Sequence, residues 1–171
     1  MQILKLFNLL KCEAYKKCRT FILFLRGSIN LNHFYESDFK LIAIGILGGV
    51  VLILVLKLVL LTTGNTAYYL LFNFDYIPVI QDLKPVWLFG YLFHFVTCIA
   101  SVIGLFYMAN TYQKNILLYV LVYAIGGGGL FFLTALSEQP PAANDWQAWI
   151  FWTIAHAIFG YVVGALVKKW F

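Results

Sequence analysis

Charged side chains are scarce in this chain: 12 basic and 7 acidic residues make up 11% of its 171 positions. Water-soluble domains carry about 25% charged residues, so a chain built mainly of such a domain is excluded. A mean hydropathy of +0.85 and 63% hydrophobic residues indicate a protein that lies mostly in lipid. A net charge of +5 would suggest nucleic acid in a soluble protein. With this composition we expect the lipid bilayer as the partner and no nucleic acid.

Cysteine is also rare, with Cys12, Cys18 and Cys98 making an odd count that argues against a disulfide framework. Their spacing does not match that of a zinc site. The sequence lacks a Gly-x-Ser-x-Gly elbow, a phosphate-binding loop and a His-Glu-x-x-His motif. We therefore expect no metal site, and a role in binding, sensing or assembly ahead of catalysis.

Long apolar segments fill most of the chain after residue 40. A helix rises 1.5 Å per residue and needs about 20 apolar residues to cross the hydrocarbon core. The predicted spans are 41–63, 87–109, 116–136 and 146–167. The fold class is therefore an all-α polytopic membrane protein with a four-helix transmembrane domain over residues 40–171.

The basic residues are distributed unevenly between the two ends of the predicted bundle. All of them except Lys57 and Lys84 precede the first span, lie between spans two and three, or follow span four. Cytoplasmic connections carry the excess of lysine and arginine. Both termini are therefore predicted to lie in the cytoplasm.

Residues 1–39 form a separate basic segment before the first span. Apolar and basic residues alternate at helical spacing between Ile3 and Leu25, which predicts an amphipathic helix lying at the membrane interface. Residues 28–38 are predicted to form a polar link into the first span.

Small residues recur at i, i+4 spacing in the spans and predict close helix–helix contacts. Little hydrophobic force acts between helices in lipid, so close backbone approach at small residues helps to hold a bundle together. The pairs are Gly45 and Gly49, Ala100 and Gly104, and Gly160 and Gly164, and span three contains glycine at 126–129.

Three ionisable residues lie inside the predicted spans: Lys57, His94 and His156. An ionisable group at this depth costs about 3 kcal/mol on insertion scales, so its presence suggests a function. They lie about 9 to 15 Å below the predicted outer boundaries at 1.5 Å per residue. Each also shares a helix face with small or polar residues.

The sequence therefore predicts a polar site in the outer half of the bundle. Lys57, His94 and His156 would bind a ligand or a proton, with Glu138 as a counter-charge. Thr97, Ser101 and Thr134 are the predicted supporting polar residues. Two structural alternatives stay open: Lys57 can extend its amine to the interface without a partner, and each histidine can serve as an interhelical hydrogen-bonding residue.

A set of motifs recurs along the predicted spans and the turns between them. They are Gly45-x-x-Gly48-Gly49-Val50-Val51 followed by Lys57, His94 followed by Gly104, the Pro140-Pro141 turn, His156 in a Trp-rich last span, and Lys168-Lys169. Together these motifs resemble the YagU-like family of small inner-membrane proteins over residues 41–170. The resemblance implies a bacterial inner-membrane, four-span protein and no catalytic residues.

Three functions are compatible with the sequence. The first is a non-enzymatic membrane protein that binds or senses protons or a small polar or anionic ligand at the Lys/His site, with no cofactor. The second is a scaffold or assembly subunit, which docks a membrane partner subunit or a second copy through its basic N-terminal segment and glycine faces. The third is a b-type cytochrome in which His94 and His156 are the axial ligands of haem b.

Overall fold

The computed structural model describes residues 31–73, 87–137 and 139–171, except for the side chains of residues 31–35, 87 and 110. All regular structure in these ranges is helical. The chain divides into two compact units, Met1–Asp38 and Phe39–Phe171. The amphipathic helix predicted between residues 3 and 25 lies outside the described residues.

The described residues contain four long α-helices. Each of them is long and apolar enough to cross a membrane, as expected of a multi-pass membrane protein. This confirms the predicted all-α fold class. The helices are α1 (Leu31–Thr63), α2 (Trp87–Ala109), α3 (Ile116–Leu130, continued by a 3₁₀ turn over Phe131–Leu136) and α4 (Trp146–Trp170).

The first helix begins earlier than the sequence predicted. Residues 31–40, expected to form the polar link and the approach to the span, are the first turns of α1. The apolar length of this helix runs over Glu36–Thr63. The charged residues at its start therefore extend a transmembrane helix and do not interrupt it.

Side-chain caps mark the first residues of α3 and α4. Asn115 accepts a hydrogen bond from the Leu117 amide at the start of α3, and Asp145 accepts one from the Ala148 amide at the start of α4. Such caps satisfy amides that have no partner inside the helix.

We call the end of the bundle where α1 ends and α4 begins the long-loop end, and the opposite end, where α2 joins α3, the short-loop end.

Glycines set the distances between neighbouring helices. A Cβ atom at Gly45 would lie 2.7 Å from the Ile99 Cα of α2, and one at Gly160 would lie 2.6 Å from the Tyr119 carbonyl oxygen of α3. Both distances are too short for any residue larger than glycine without backbone movement. The predicted small-residue packing is therefore present between α1 and α2 and between α3 and α4.

The small residues of α2 behave differently. Ala100 and Gly104 are exposed, and a Cβ atom at Gly104 would meet no heavy atom of the described chain within 4 Å. The prediction that this pair packs against a neighbouring span of the same bundle is wrong, because α2 turns its opposite face inward.

A 3₁₀ helix in the long connection, Thr66–Phe72, packs onto the long-loop end of the bundle. We call it the loop helix. Its Ala67, Tyr68, Leu70 and Leu71 are buried. The Asn73 side-chain amide, just after it, donates a hydrogen bond to the Ser137 hydroxyl at 2.7 Å. Tyr68, an aromatic residue of the loop helix, thus packs against protein.

Gly160 offers a direct test of the α3–α4 contact. Gly160→Ala should destabilise the fold by about 1 to 3 kcal/mol, the usual effect of overpacking, because the Tyr119 backbone cannot move aside. Gly104→Ala is the matched control, since its new methyl group would enter open space. The measurement is reversible unfolding in mixed micelles. Equal stability of the two variants would contradict the close contact.

Candidate functional site

A cavity of about 300 Å³ lies inside the four-helix bundle. All four long helices contribute to its wall, with Leu52 from α1, His94 from α2, Tyr123 from α3 and His156 from α4. Leu70 and Leu71 of the loop helix also line it. The volume is at the lower end of the range of small-molecule sites.

His156 reaches the cavity from the middle of α4. Its Nδ1 atom lies 2.9 Å from the Trp152 carbonyl oxygen one turn earlier. Because a carbonyl oxygen only accepts hydrogen bonds, Nδ1 must carry the proton. In the neutral ring Nε2 is then an unprotonated hydrogen-bond acceptor.

His94 is 4% exposed and is fixed by a contact between helices. Its Nε2 atom lies 3.1 Å from the Gly49 carbonyl oxygen of α1, so Nε2 donates the hydrogen bond. The aromatic rings of Phe95 and Phe72 flank the imidazole, with centroids at 5.2 and 6.0 Å. In the neutral ring Nδ1 is the acceptor, and the Cys98 sulfur lies 4.0 Å from it.

The glycine run of α3 permits this arrangement of α4. A Cβ atom at Gly127 would overlap the imidazole of His156. The indole Nε1 of Trp152 donates to the Gly127 carbonyl at 2.7 Å, and that of Trp149 donates to the Gly128 carbonyl at 3.0 Å. The absence of side chains at 127 and 128 therefore allows two tryptophans and a histidine to approach the α3 backbone.

The hydroxyl groups of the cavity all donate their protons inside the protein. Thr97 donates to the Phe93 carbonyl at 2.7 Å, and Ser101 donates to the Cys98 carbonyl at 2.9 Å. Tyr123 donates to the Ser101 hydroxyl at 3.4 Å. What these groups can still offer a ligand is oxygen lone pairs.

Lys57 is placed elsewhere. It is exposed and is not part of the cavity wall, and its Nζ lies 4.8 Å from the centre of the Tyr68 ring in a cation–π contact. Burial, together with a hydrogen bond to Tyr91, raises the pKa of Tyr68 to about 12, so that ring stays neutral. The structure therefore brings His94 and His156 together but does not add Lys57 to them.

The remaining predicted residues have different environments. Thr97 and Ser101 line the cavity. Thr134 is buried, its hydroxyl has no hydrogen-bond partner among the described residues, and it is not part of the cavity wall. Glu138, the predicted counter-charge, lies outside the described residues.

The two histidines differ in the nitrogen that each leaves for a haem iron. A metal-bound histidine almost always donates its other ring N–H to a carboxylate, a backbone carbonyl or water. Both rings donate to a backbone carbonyl, but His156 leaves Nε2 to ligate and His94 leaves Nδ1. The Cys98 sulfur lies 4.0 Å from that Nδ1 atom. Within the described residues, no group of three or more His, Cys, Asp or Glu side chains could hold a metal ion.

Sequence reasoning did not identify Tyr123, Trp152 and Gly127 as parts of the site. Trp152 could have been recognised from its sequence position, because it lies one helical turn before His156. The glycine run at 126–129 was noted for packing alone. Tyr123 gave a weaker signal, a lone hydroxyl-bearing ring in the middle of an apolar span.

Comparisons with protein families, with curated proteins and with solved structures found no match to this chain. The resemblance to the YagU-like family therefore rests on the sequence motifs alone.

The hydrogen bonds of the histidines predict two different tautomers. At about pH 8.5, where an ordinary histidine is neutral, His156 should carry its proton on Nδ1 and His94 on Nε2. Nitrogen-15 NMR of histidine-labelled protein distinguishes the two forms. Gly127→Ala should change the His156 signals because the methyl group displaces that ring, whereas Gly126→Ala should change neither. A proton on Nε2 of His156 would contradict the geometry.

Proposed function

We propose that this protein binds a small neutral ligand, or a proton, at His94 and His156 in the cavity of its membrane domain. The observation that carries the proposal is the pairing of two histidines, each held in one tautomer by a backbone carbonyl, in the wall of one cavity. The fixed ring of His156, whose Nε2 lone pair is not used by the Trp152 carbonyl, is a preformed acceptor for a hydrogen-bond donor.

The charge of the wall favours a neutral ligand. Among the described residues, the wall includes no lysine, arginine, aspartate or glutamate. An anion transferred from water to such a site loses hydration that no cation replaces. The anionic ligand suggested by the sequence depended on Lys57, which is not part of this wall. A hydroxyl, phenol or amine group would instead find His156 Nε2 and the hydroxyl oxygens as acceptors.

Proton binding is the simplest use of the same lone pair. Histidine is the side chain whose charge ordinarily changes between pH 5 and 8. Protonation of His156 would turn its Nε2 from an acceptor into a donor. The cavity would then reject a donor ligand, so ligand binding and proton binding compete.

Phenol and its methyl ether, anisole, test the proposal. Phenol should bind saturably to the wild-type protein in nanodiscs and shift the His156 Nε2 signal in nitrogen-15 NMR. Anisole, which has no hydrogen to donate, should bind at least about ten-fold more weakly, the equivalent of one hydrogen bond of about 1.4 kcal/mol.

His156→Phe keeps a ring in the cavity and removes the acceptor, so phenol binding should weaken by the same factor. Ile154→Ala is the matched control, since Ile154 lies on the exposed face of α4. Phenol binding that is absent in the wild type, or unchanged in His156→Phe, would refute the proposed function.

We propose that the protein lies in a bacterial inner membrane with both termini in the cytoplasm. The distribution of described lysines supports this orientation. Lys40, Lys114, Lys168 and Lys169 lie toward the short-loop end, and Lys57 lies toward the other. Positive charge accumulates on the cytoplasmic side of membrane proteins. The scaffold alternative, which uses the basic N-terminal segment and the glycine faces, stays a hypothesis.

Cysteine labelling in intact cells tests this orientation. In a background with the three native cysteines replaced by serine, Ala142→Cys should react with a membrane-impermeant maleimide. Lys169→Cys should react only after the cells are permeabilised. Both positions are exposed on the protein, so the side of the membrane on which each cysteine lies decides whether it reacts. The reverse pattern would place the short-loop end outside.

A further inference from the structure

In the part of the chain that the structure describes, the cavity is exposed on one side, between α2 and α3. Among its wall residues, Thr97 of α2 and Val122, Gly126 and Leu130 of α3 are exposed. The α3 residues form one stripe at i, i+4 spacing. A Cβ atom added at Gly126 would meet no heavy atom of the described residues within 4 Å, so they leave space open beside it.

This opening lies at the depth of the hydrocarbon core. Thr97 is the eleventh residue of the 23-residue α2, and Gly126 lies midway along the span Ile116–Leu136. At 1.5 Å per residue, each lies about 15 Å from either end of its span. The opening therefore faces lipid tails and not water.

The route from the long-loop end is covered. Leu70 and Leu71 of the loop helix are buried and form part of the cavity wall. On the other side, Tyr123 packs edge-on against Phe159 of α4, with ring centroids 4.6 Å apart, and contacts Ser101 of α2. Within the described residues, the open path to the histidines runs through the membrane.

The geometry points to a membrane-dissolved alcohol or phenol as the ligand, which reaches His156 laterally between α2 and α3. The apolar stripe of α3 suits the hydrocarbon body of such a molecule, and the acceptors at the histidines suit its single hydroxyl group. This inference rests on the proposed function and adds the chemical class of the ligand and its path.

The experiment compares Gly126→Phe, which places a ring in the opening, with Gly129→Phe. Gly129 belongs to the same glycine run and is exposed, and a Cβ atom there would meet no described residue within 4 Å, but it is not part of the cavity wall. The probe is 2-bromo-4-pentylphenol in nanodiscs. Its bromine quenches tryptophan fluorescence on contact, and Trp152→Phe identifies the part of the signal that arises in the cavity.

Gly126→Phe should slow both association and dissociation of the probe at least ten-fold, whereas Gly129→Phe should leave both rates within two-fold of the wild type. The water-confined analogue 4-hydroxybenzenesulfonate should not compete with the probe. Unchanged rates in Gly126→Phe, or a weaker affinity at unchanged association rate, would overturn lateral access. Effective competition by the sulfonate would overturn it as well.

Two further outcomes separate this inference from the proposed function. If the wild type binds phenol but not the pentyl probe, the site exists and the lipid-soluble ligand class is wrong. If Gly126→Phe alters the oligomeric state and Gly129→Phe does not, with the binding rates of both variants unchanged, the opening is a contact between copies of the chain and the inference is overturned.

Discussion

The structure around the cavity depends on one constraint: a hydrogen-bond donor inside a membrane must find an acceptor within the protein. Here the acceptors are helix backbone carbonyls, which retain a second lone pair after their helical hydrogen bond. His94 uses the Gly49 carbonyl of α1, and Trp152 uses the Gly127 carbonyl of α3. Each of these bonds joins two helices, so the groups that line the cavity also hold its walls together.

The same constraint determines what the site can recognise. Once the imidazole, indole and hydroxyl protons are satisfied internally, lone pairs are what a ligand can still engage. The proposed preference for a hydrogen-bond donor over an anion follows from this. A lysine in the wall would have reversed that preference, and the cation–π contact of Lys57 with Tyr68 keeps its charge outside the cavity wall.

Some features followed directly from the sequence because they depend on local chain properties. The lengths of the apolar segments predicted the ends of α2, α3 with its 3₁₀ turn, and the start of α4. The positions of His94 and His156 along their helices predicted that both side chains lie on inward faces. The position of the Lys57 amine could not be predicted in this way. A long flexible side chain has many rotamers, so its end can lie at a different depth in the membrane from its Cα atom. Ala100 and Gly104 show that small-residue spacing does not identify the partner helix.

The sequence by itself determined a four-span helical membrane protein with polar residues at similar depth, since hydropathy and helical periodicity act residue by residue. Tertiary structure alone decided that the loop helix covers one end of the cavity, that Gly127 accommodates His156, and that the wall opens between α2 and α3. These features depend on contacts between residues distant along the chain. Such contacts form only where backbones approach closely enough to exclude a side chain, and that distance is set by the packed bundle as a whole.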